Sequence, residues 1–244
     1  FEPFSGRVIG SRIYGRGASD MKSGLAAMML SAKALVAGKT RLKGDLIIAA
    51  VVDEETTGPA GTAYLVNQGL RADMAIIGEP TYYLDPSKGW RIEIAHRGHL
   101  WIEVTTEGKA AHGGRPWLGI NAIYMMTDFI NSIRRLEDQF GNRKHPLVSS
   151  PTINVGTISG GTSVNVVPDR CTMTIDRRMI PTERIEEAKL EIAHILEELG
   201  RNNKFKASWT AINETPPFEI SPNEDVVVSL RKTAGQIMGH EPTV

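Results

Sequence analysis

Four carboxylates stand at places where an α/β chain gathers its chemistry. Asp20 closes the run Tyr14-Gly15-Arg16-Gly17-Ala18-Ser19 and opens a helical pattern. Glu54 and Glu55 follow directly on the apolar run Leu46 to Val52 and Asp53, and Glu79 follows Met74 to Ile77, held between Gly78 and Pro80. In open parallel sheets, ligands bind outside the carboxyl ends of the strands, so the loops carrying these acids are expected to converge on one crevice. Carboxylates crowded together raise one another's pKa, and either protons or metal ions relieve the repulsion. A pair of metals ~3.5–4 Å apart, bridged by a carboxylate, suits hydrolysis. Each acid also has a plainer role: Asp20 as an N-cap, Glu54-Glu55 as a solvated turn, and Glu79 as the end of a strand that Pro80 stops.

The other polar candidates lie further along. His112 sits between Ala110-Ala111 and Gly113-Gly114, small residues that let a substrate or a second chain approach the backbone; a histidine packed at a strand-to-helix turn is the alternative. Arg178 stands beside Arg177, and a surface salt bridge is one plain role for it. The glycine-rich stretch Ser159 to Thr162 lacks the Lys-Ser/Thr of a phosphate loop. Of the other histidines, His96 and His99 flank Arg97-Gly98, His145 precedes Pro146, His194 lies in a helical pattern and His240 follows Gly239. None completes a ligand motif with the acids.

The elements that must position these residues change character along the chain. Met21 to Ala37 is rich in Ala, Leu and Met, with apolar residues recurring at helical spacing and Gly38 where a C-terminal cap belongs, and Thr62 to Gln68 is a short helix candidate. Leu46 to Val52 and Met74 to Ile77 read as strands buried on both faces, as in a parallel sheet. From Ile92 the pattern becomes strand (to Thr105, broken at Arg97-Gly98), helix (Asn121 to Leu136), strands (Ile153 to Ile158, Cys171 to Arg177), helix (Thr182 to Leu199, with Thr182 as N-cap) and strand (Phe205 to Thr210). That order is the ferredoxin-like split pattern. A last helix runs from Glu224 to Met238. The parse is an α/β domain, residues 1–88 and 211–244, interrupted by an inserted α+β domain, residues 89–210.

Composition bounds the function. The 28 Lys+Arg balance 28 Asp+Glu, which argues against a dedicated nucleic-acid binder. The longest apolar run falls far short of the ~20 residues of a membrane-spanning helix, so no membrane partner is expected. A lone cysteine, Cys171, cannot form an internal disulfide and fits a reducing, cytoplasmic compartment. The start at Phe1 and the stop at Val244 without a closing element suggest a chain truncated at both ends.

Five ordered motifs together resemble those of a dinuclear-zinc amidohydrolase and exopeptidase family, which includes acetylornithine deacetylase, succinyl-diaminopimelate desuccinylase, aminoacylase and glutamate carboxypeptidase. They are Tyr14-Gly15-Arg16-Gly17-Ala18-Ser19-Asp20-Met21-Lys22-Ser23-Gly24, Asp53-Glu54-Glu55, Gly78-Glu79-Pro80, Ala111-His112-Gly113-Gly114-Arg115-Pro116, and Ser159-Gly160-Gly161-Thr162 through Asn165-Val166-Val167-Pro168. The resemblance implies a zinc-exopeptidase-like catalytic domain interrupted by a ferredoxin-like lid domain through which the protein forms a homodimer. It implies two zinc ions per complete subunit, with cobalt or manganese as substitutes. Asp20 would bridge the metals, Glu55 would bind one and Glu79 the other. Glu54 would be the general base acting on a metal-bridging water. His112 would stabilise the oxyanion in the partner subunit's site, and Asn165 and Arg178 would contact the substrate carboxylate. The implied reaction is hydrolysis of the amide bond of an N-acyl amino acid or small peptide, of the deacetylase or desuccinylase type found in amino-acid metabolism. In the family each metal also takes a histidine, one upstream of the Gly-Arg-Gly segment and one near the C-terminus, and this chain shows neither.

Two other readings stay open. The chain could be a dimerising or ligand-binding module without a complete metal site. A serine or cysteine hydrolase ranks last, because no Gly-x-Ser-x-Gly elbow is present and Cys171 lies in a strand pattern.

Overall fold

The computed structural model describes residues 2–56, 59–81, 90–202 and 204–244. The chain forms two compact units, Phe1–Glu93 with Pro222–Val244, and Ile94–Ser221.

In the first unit, β1 (Arg7–Ile9) and β2 (Arg12–Tyr14) form an antiparallel hairpin in which Val8 lies opposite Ile13. Its two-residue turn needs Gly10, whose φ of +60° is open to glycine at no steric cost. Helix α1 (Lys22–Ala37) follows the Gly-Arg-Gly segment and ends as expected at Gly38, whose N–H donates to the Ala34 carbonyl at 2.8 Å. The left-handed turn comes one residue later, at Lys39 (φ +51°). Helix α2 (Thr62–Asn67) is the short helix expected from residue 62 onward.

Among the described residues, the two buried parallel strands expected in this unit do not form. Leu46 to Val52 and Met74 to Ile77 join no ladder among the described residues. Most of their large side chains are open to solvent, Leu46 at 54% and Ile77 at 75%, with Ile48 and Val51 half-buried. A continuous apolar run encodes a preference for burial on both faces, but a strand exists only where a neighbour supplies the hydrogen bonds. The α1 helix likewise buries no residue.

The second unit is built on one sheet. Beside the two-residue β3 (Ala95–His96), β4 (Gly98–Glu107) alternates through its middle: Leu100, Ile102 and Val104 are fully buried, while Trp101 and Glu103 turn to the other face. After β5 (Ala111–His112), helix α3 (Ala122–Phe140) carries Met125, Phe129, Ile133 and Phe140 at helical spacing on its buried face. Asn121 caps it, its Oδ1 accepting from the N–H groups of Ile123 (2.9 Å) and Tyr124 (3.2 Å). There follow β6 (Thr152–Gly160), β7 (Val166–Val167), β8 (Arg170–Met179), α4 (Ile185–Gly200), β9 (Ala207–Thr215) and β10 (Phe218–Glu219). The chain then returns to the first unit as α5 (Asp225–Met238).

The four long strands stand in the order β6-β8-β4-β9, all antiparallel, and α3 and α4 cover one face. This is the ferredoxin-like arrangement expected from the element order. Helix α4 starts at Ile185, so Thr182 lies outside it; the Glu187 carboxylate instead accepts from the Arg184 N–H at 3.2 Å. Residues 211–221 stay with this unit because β9 runs on to Thr215 and β10 pairs back with β3. All the buried hydrophobic residues among those described lie in this unit except Val227. No helix among the described residues is long and apolar enough to cross a membrane.

Candidate functional site

The acids come together in the first unit because two glycines let the backbone close up. A Cβ on Gly24, in the first turn of α1, would lie 2.4 Å from the Gly78 carbonyl oxygen. A Cβ on Gly78 would meet the Met28 methyl at 2.9 Å and Gly24 Cα at 3.3 Å. The segment bearing Glu79 is thus seated directly on the start of the helix that follows Asp20. Met21 takes the N-cap position of α1, so Asp20 does not cap the helix, and it hydrogen bonds Glu79. The Asp20–Met21 peptide bond is cis.

Two carboxylates can share a hydrogen bond only if one of them holds a proton. Partial burial, then the hydrogen bond and charge of Asp20, then the charges of Glu54 and Glu55, push Glu79 up to about 7. Glu79 remains exposed by area, so crowding by its three acidic neighbours is the cause that a cation would remove. The structure therefore gathers Asp20, Glu54, Glu55 and Glu79 within electrostatic reach.

Asp53 turns the chain at the Glu54-Glu55 corner. It adopts a left-handed φ of +67° and accepts from the Thr56 hydroxyl and, at 3.5 Å, from the Ala60 N–H. Its type carried the signal, since aspartate tolerates this conformation and bonds its own turn, but a motif of three consecutive acids does not say which one is structural.

The acids are not drawn up as a finished ligand set. Among the described residues, no three His, Cys, Asp or Glu side chains are placed to hold a metal ion. The donor chemistry nevertheless fits one: a proton held between two carboxylates, with two further acids nearby, is what such a set contains when no divalent cation is bound.

The second unit carries the other candidates. His112 is exposed on β5, where it pairs with Val166 of β7. The Gly113 N–H donates to the Asn165 carbonyl at 2.7 Å, which joins the His112 and Asn165 loops. The Asn165 side-chain oxygen accepts from the Ser163 hydroxyl at 2.6 Å. The His112 ring accepts, at Nδ1, from the Gly114 N–H at 3.0 Å.

Arg178 lies elsewhere, near the far end of β8 and about 25 Å along the strand from the His112 end. Its guanidinium is paired with Asp176 at 2.8 Å, both groups part-exposed. Arg97 is close by: burial, then the charge of Arg178, lowers its pKa, with Asp176 opposing.

Neighbouring Arg177 points to the helix-covered face and is buried, bonding Glu183 at 2.8 Å and Glu191 at 3.1 Å. Other histidines are taken up structurally. His99 bonds the Asn213 side chain at 2.7 Å, and His145 pairs with Glu219 at 3.2 Å. Cys171 is buried and free, and burial raises its thiol pKa.

Residues 94–204 match the peptidase dimerisation domain of the M20 family. The chain is 32% identical over 243 residues to the acetylornithine deacetylase of Pasteurella multocida, a match that takes in 97% of this chain and 60% of that protein. The chain thus spans about 60% of the length of this curated relative. Among solved structures, an M20 family metallo-carboxypeptidase from Sulfolobus solfataricus superposes with a TM-score of 0.73 at 22% identity, over 99% of this chain and 66% of that one. A tripeptidase from Staphylococcus aureus gives a TM-score of 0.66 at 22% identity, over 95% of this chain and 58% of its own.

Proposed function

Because the chain belongs to the M20 family of amidohydrolases and exopeptidases, we propose that the protein is a metal-dependent hydrolase of linear amide bonds. Its substrate class is an N-acyl amino acid or small peptide, and its reaction is of the deacetylase or desuccinylase type. The observation that carries this reading is the Asp20–Glu79 contact, with Glu79 pushed up to about 7 beside Glu54 and Glu55. The relationship to an acetylornithine deacetylase at 32% identity supports the substrate class.

Asp20, Glu55 and Glu79 would hold the metal, Asp20 between two ions. Zinc is the first expectation, and cobalt or manganese would suit the same oxygen-rich donors. A divalent metal bound there supplies Lewis acidity toward the scissile carbonyl and makes water more acidic. Glu54 then takes the proton of the attacking water and delivers it to the departing amine, so one carboxylate serves as base and then as acid. His112 donates a hydrogen bond to the oxygen that gains negative charge, and in a homodimer formed through the 94–221 unit it would serve the partner's carboxylate site. Asn165 and Arg178 would bind the substrate carboxylate, and because they stand about 25 Å apart along one sheet they would reach it from different protomers of the homodimer. The lone buried cysteine agrees with a reducing, cytoplasmic setting.

The test is Glu54→Gln in the catalytically competent protein. Turnover should be abolished while metal uptake persists, whereas Glu79→Gln should weaken both. Near-wild-type turnover of the Glu54→Gln variant would refute the assigned base.

The second reading, a dimerising module without catalysis, is favoured by the concentration of buried core in the second unit. It predicts dimers with no metal-dependent amide hydrolysis under any metal supplied.

A further inference from the structure

The His112 ring is held by its own turn. The Arg115 N–H donates to the His112 carbonyl at 2.8 Å, closing residues 112–115, and the Gly114 N–H reaches back to the ring at Nδ1. A backbone N–H can only donate, so Nδ1 must offer its lone pair, and in the neutral ring the proton sits on Nε2. A Cβ on residue 114 would lie 3.2 Å from Nδ1 and 3.3 Å from Cε1, tighter than ordinary contact. The two glycines of this turn therefore do different work. Gly113 lets the turn close on Asn165, whose carbonyl would be 3.0 Å from a Cβ there, while Gly114 clears the space for the ring and supplies the donor.

We propose that Gly114 is a positioning residue that locks His112 as the Nε2–H tautomer, so that the exposed edge of the imidazole presents a neutral N–H donor. The opposite tautomer would turn a lone pair toward any developing oxyanion and repel it. The catalytic consequence rests on the amide-hydrolase reading above; the tautomer lock rests on the geometry alone.

The experiment is long-range ¹H–¹⁵N correlation NMR of the imidazoles in the ¹⁵N-labelled chain, at mildly alkaline pH, for wild type and Gly114→Ala. The wild-type His112 ring should show a protonated Nε2 and an unprotonated Nδ1. Gly114→Ala should show a mixture of both tautomers, with backbone amides of the sheet unmoved. An Nδ1–H ring in the wild type, or a Gly114→Ala ring identical to wild type, would overturn the lock; the wild-type spectrum alone decides if the variant fails to fold.

In the catalytically competent protein, Gly114→Ala should lower kcat about tenfold with little change in KM, against about 10²–10³ for loss of the donor in His112→Ala. A shifted tautomer with unchanged kcat would leave the lock standing and overturn the oxyanion role of His112.

Discussion

Replacing Arg177 with methionine isolates the buried charge network of the second unit. The guanidinium donates to Glu191 Oε2 at 3.2 and 3.1 Å, to Glu183 Oε1 at 2.8 Å and to the Arg178 carbonyl, and it lies 4.1 Å from the Phe140 ring centre. Methionine keeps much of the side chain's apolar length, so the loss is mainly electrostatic. Removing one partner from a buried ion pair costs roughly 3–5 kcal/mol. The lower end applies because Arg143 remains bonded to both carboxylates, at 2.8 Å to Glu183 and 2.5 Å to Glu191. The expected loss is therefore about 3 kcal/mol, or roughly 6–12 °C in Tm.

The same variant should change the acid limb of stability. Burial pushes the Glu183 carboxyl up, but hydrogen bonds from Arg177 and Arg143 outweigh it and set the pKa below the ordinary 4.5. A lowered folded-state value means stabilisation that is complete above about 4.5 and is lost as the pH falls through the folded value. Arg177→Met should flatten this acid-side decline. Urea unfolding followed by tryptophan fluorescence, to which Trp101 on β4 and Trp209 on β9 contribute beside Trp90 and Trp117, measures both effects. A loss below about 1 kcal/mol, the range of an exposed pair, would refute the reasoning, as would an unaltered acid limb.

Further outcomes follow from the same structure. Phe129→Ala, at a fully buried position of α3, should destabilise the second unit by about 3–5 kcal/mol in the same urea assay. Gly24→Ala should push the Glu79 segment off α1, because its Cβ would lie 2.4 Å from the Gly78 carbonyl oxygen; metal uptake should fall while the urea transition of the second unit stays in place. Asn121→Ala removes the acceptor for two N–H groups at the start of α3 and should cost about 1 kcal/mol, read as a shifted midpoint at constant m-value.

What could be read in the sequence depended on whether a segment completes its own hydrogen bonding. The ferredoxin-like unit was legible because its signals are local and agree: Leu100, Ile102 and Val104 alternate, Met125, Phe129 and Ile133 repeat at helical spacing, and Asn121 caps. Leu46 to Val52 carries an equally strong apolar signal, yet it is largely exposed and joins no ladder among the described residues, since apolar sequence cannot provide the neighbouring strand. In the candidate site, Glu54, Glu55 and Glu79 stood out by their positions after apolar runs, and Asp20 by its place before a helical pattern. The closeness of Asp20 to Glu79 was not, because it depends on the contact between Gly24 and Gly78, which are far apart in the chain. Arg178 could be named but not placed; strand register puts it at the end of β8 away from His112. The hold of Gly114 on His112 also escaped, since an Ala-His-Gly-Gly run does not reveal which ring nitrogen meets the backbone.

Calorimetric zinc titration of the chain, in buffers of different ionisation enthalpy and beside an Asp20→Asn variant, tests the central claim that these acids form a metal site. Zinc must displace the proton that Glu79 holds below about 7. Uptake should therefore be saturable, should release about one proton well below that pH and almost none well above it, and should be lost in Asp20→Asn. Uptake that ignores Asp20→Asn, uptake without pH-dependent proton release, or no saturable uptake at all would contradict it.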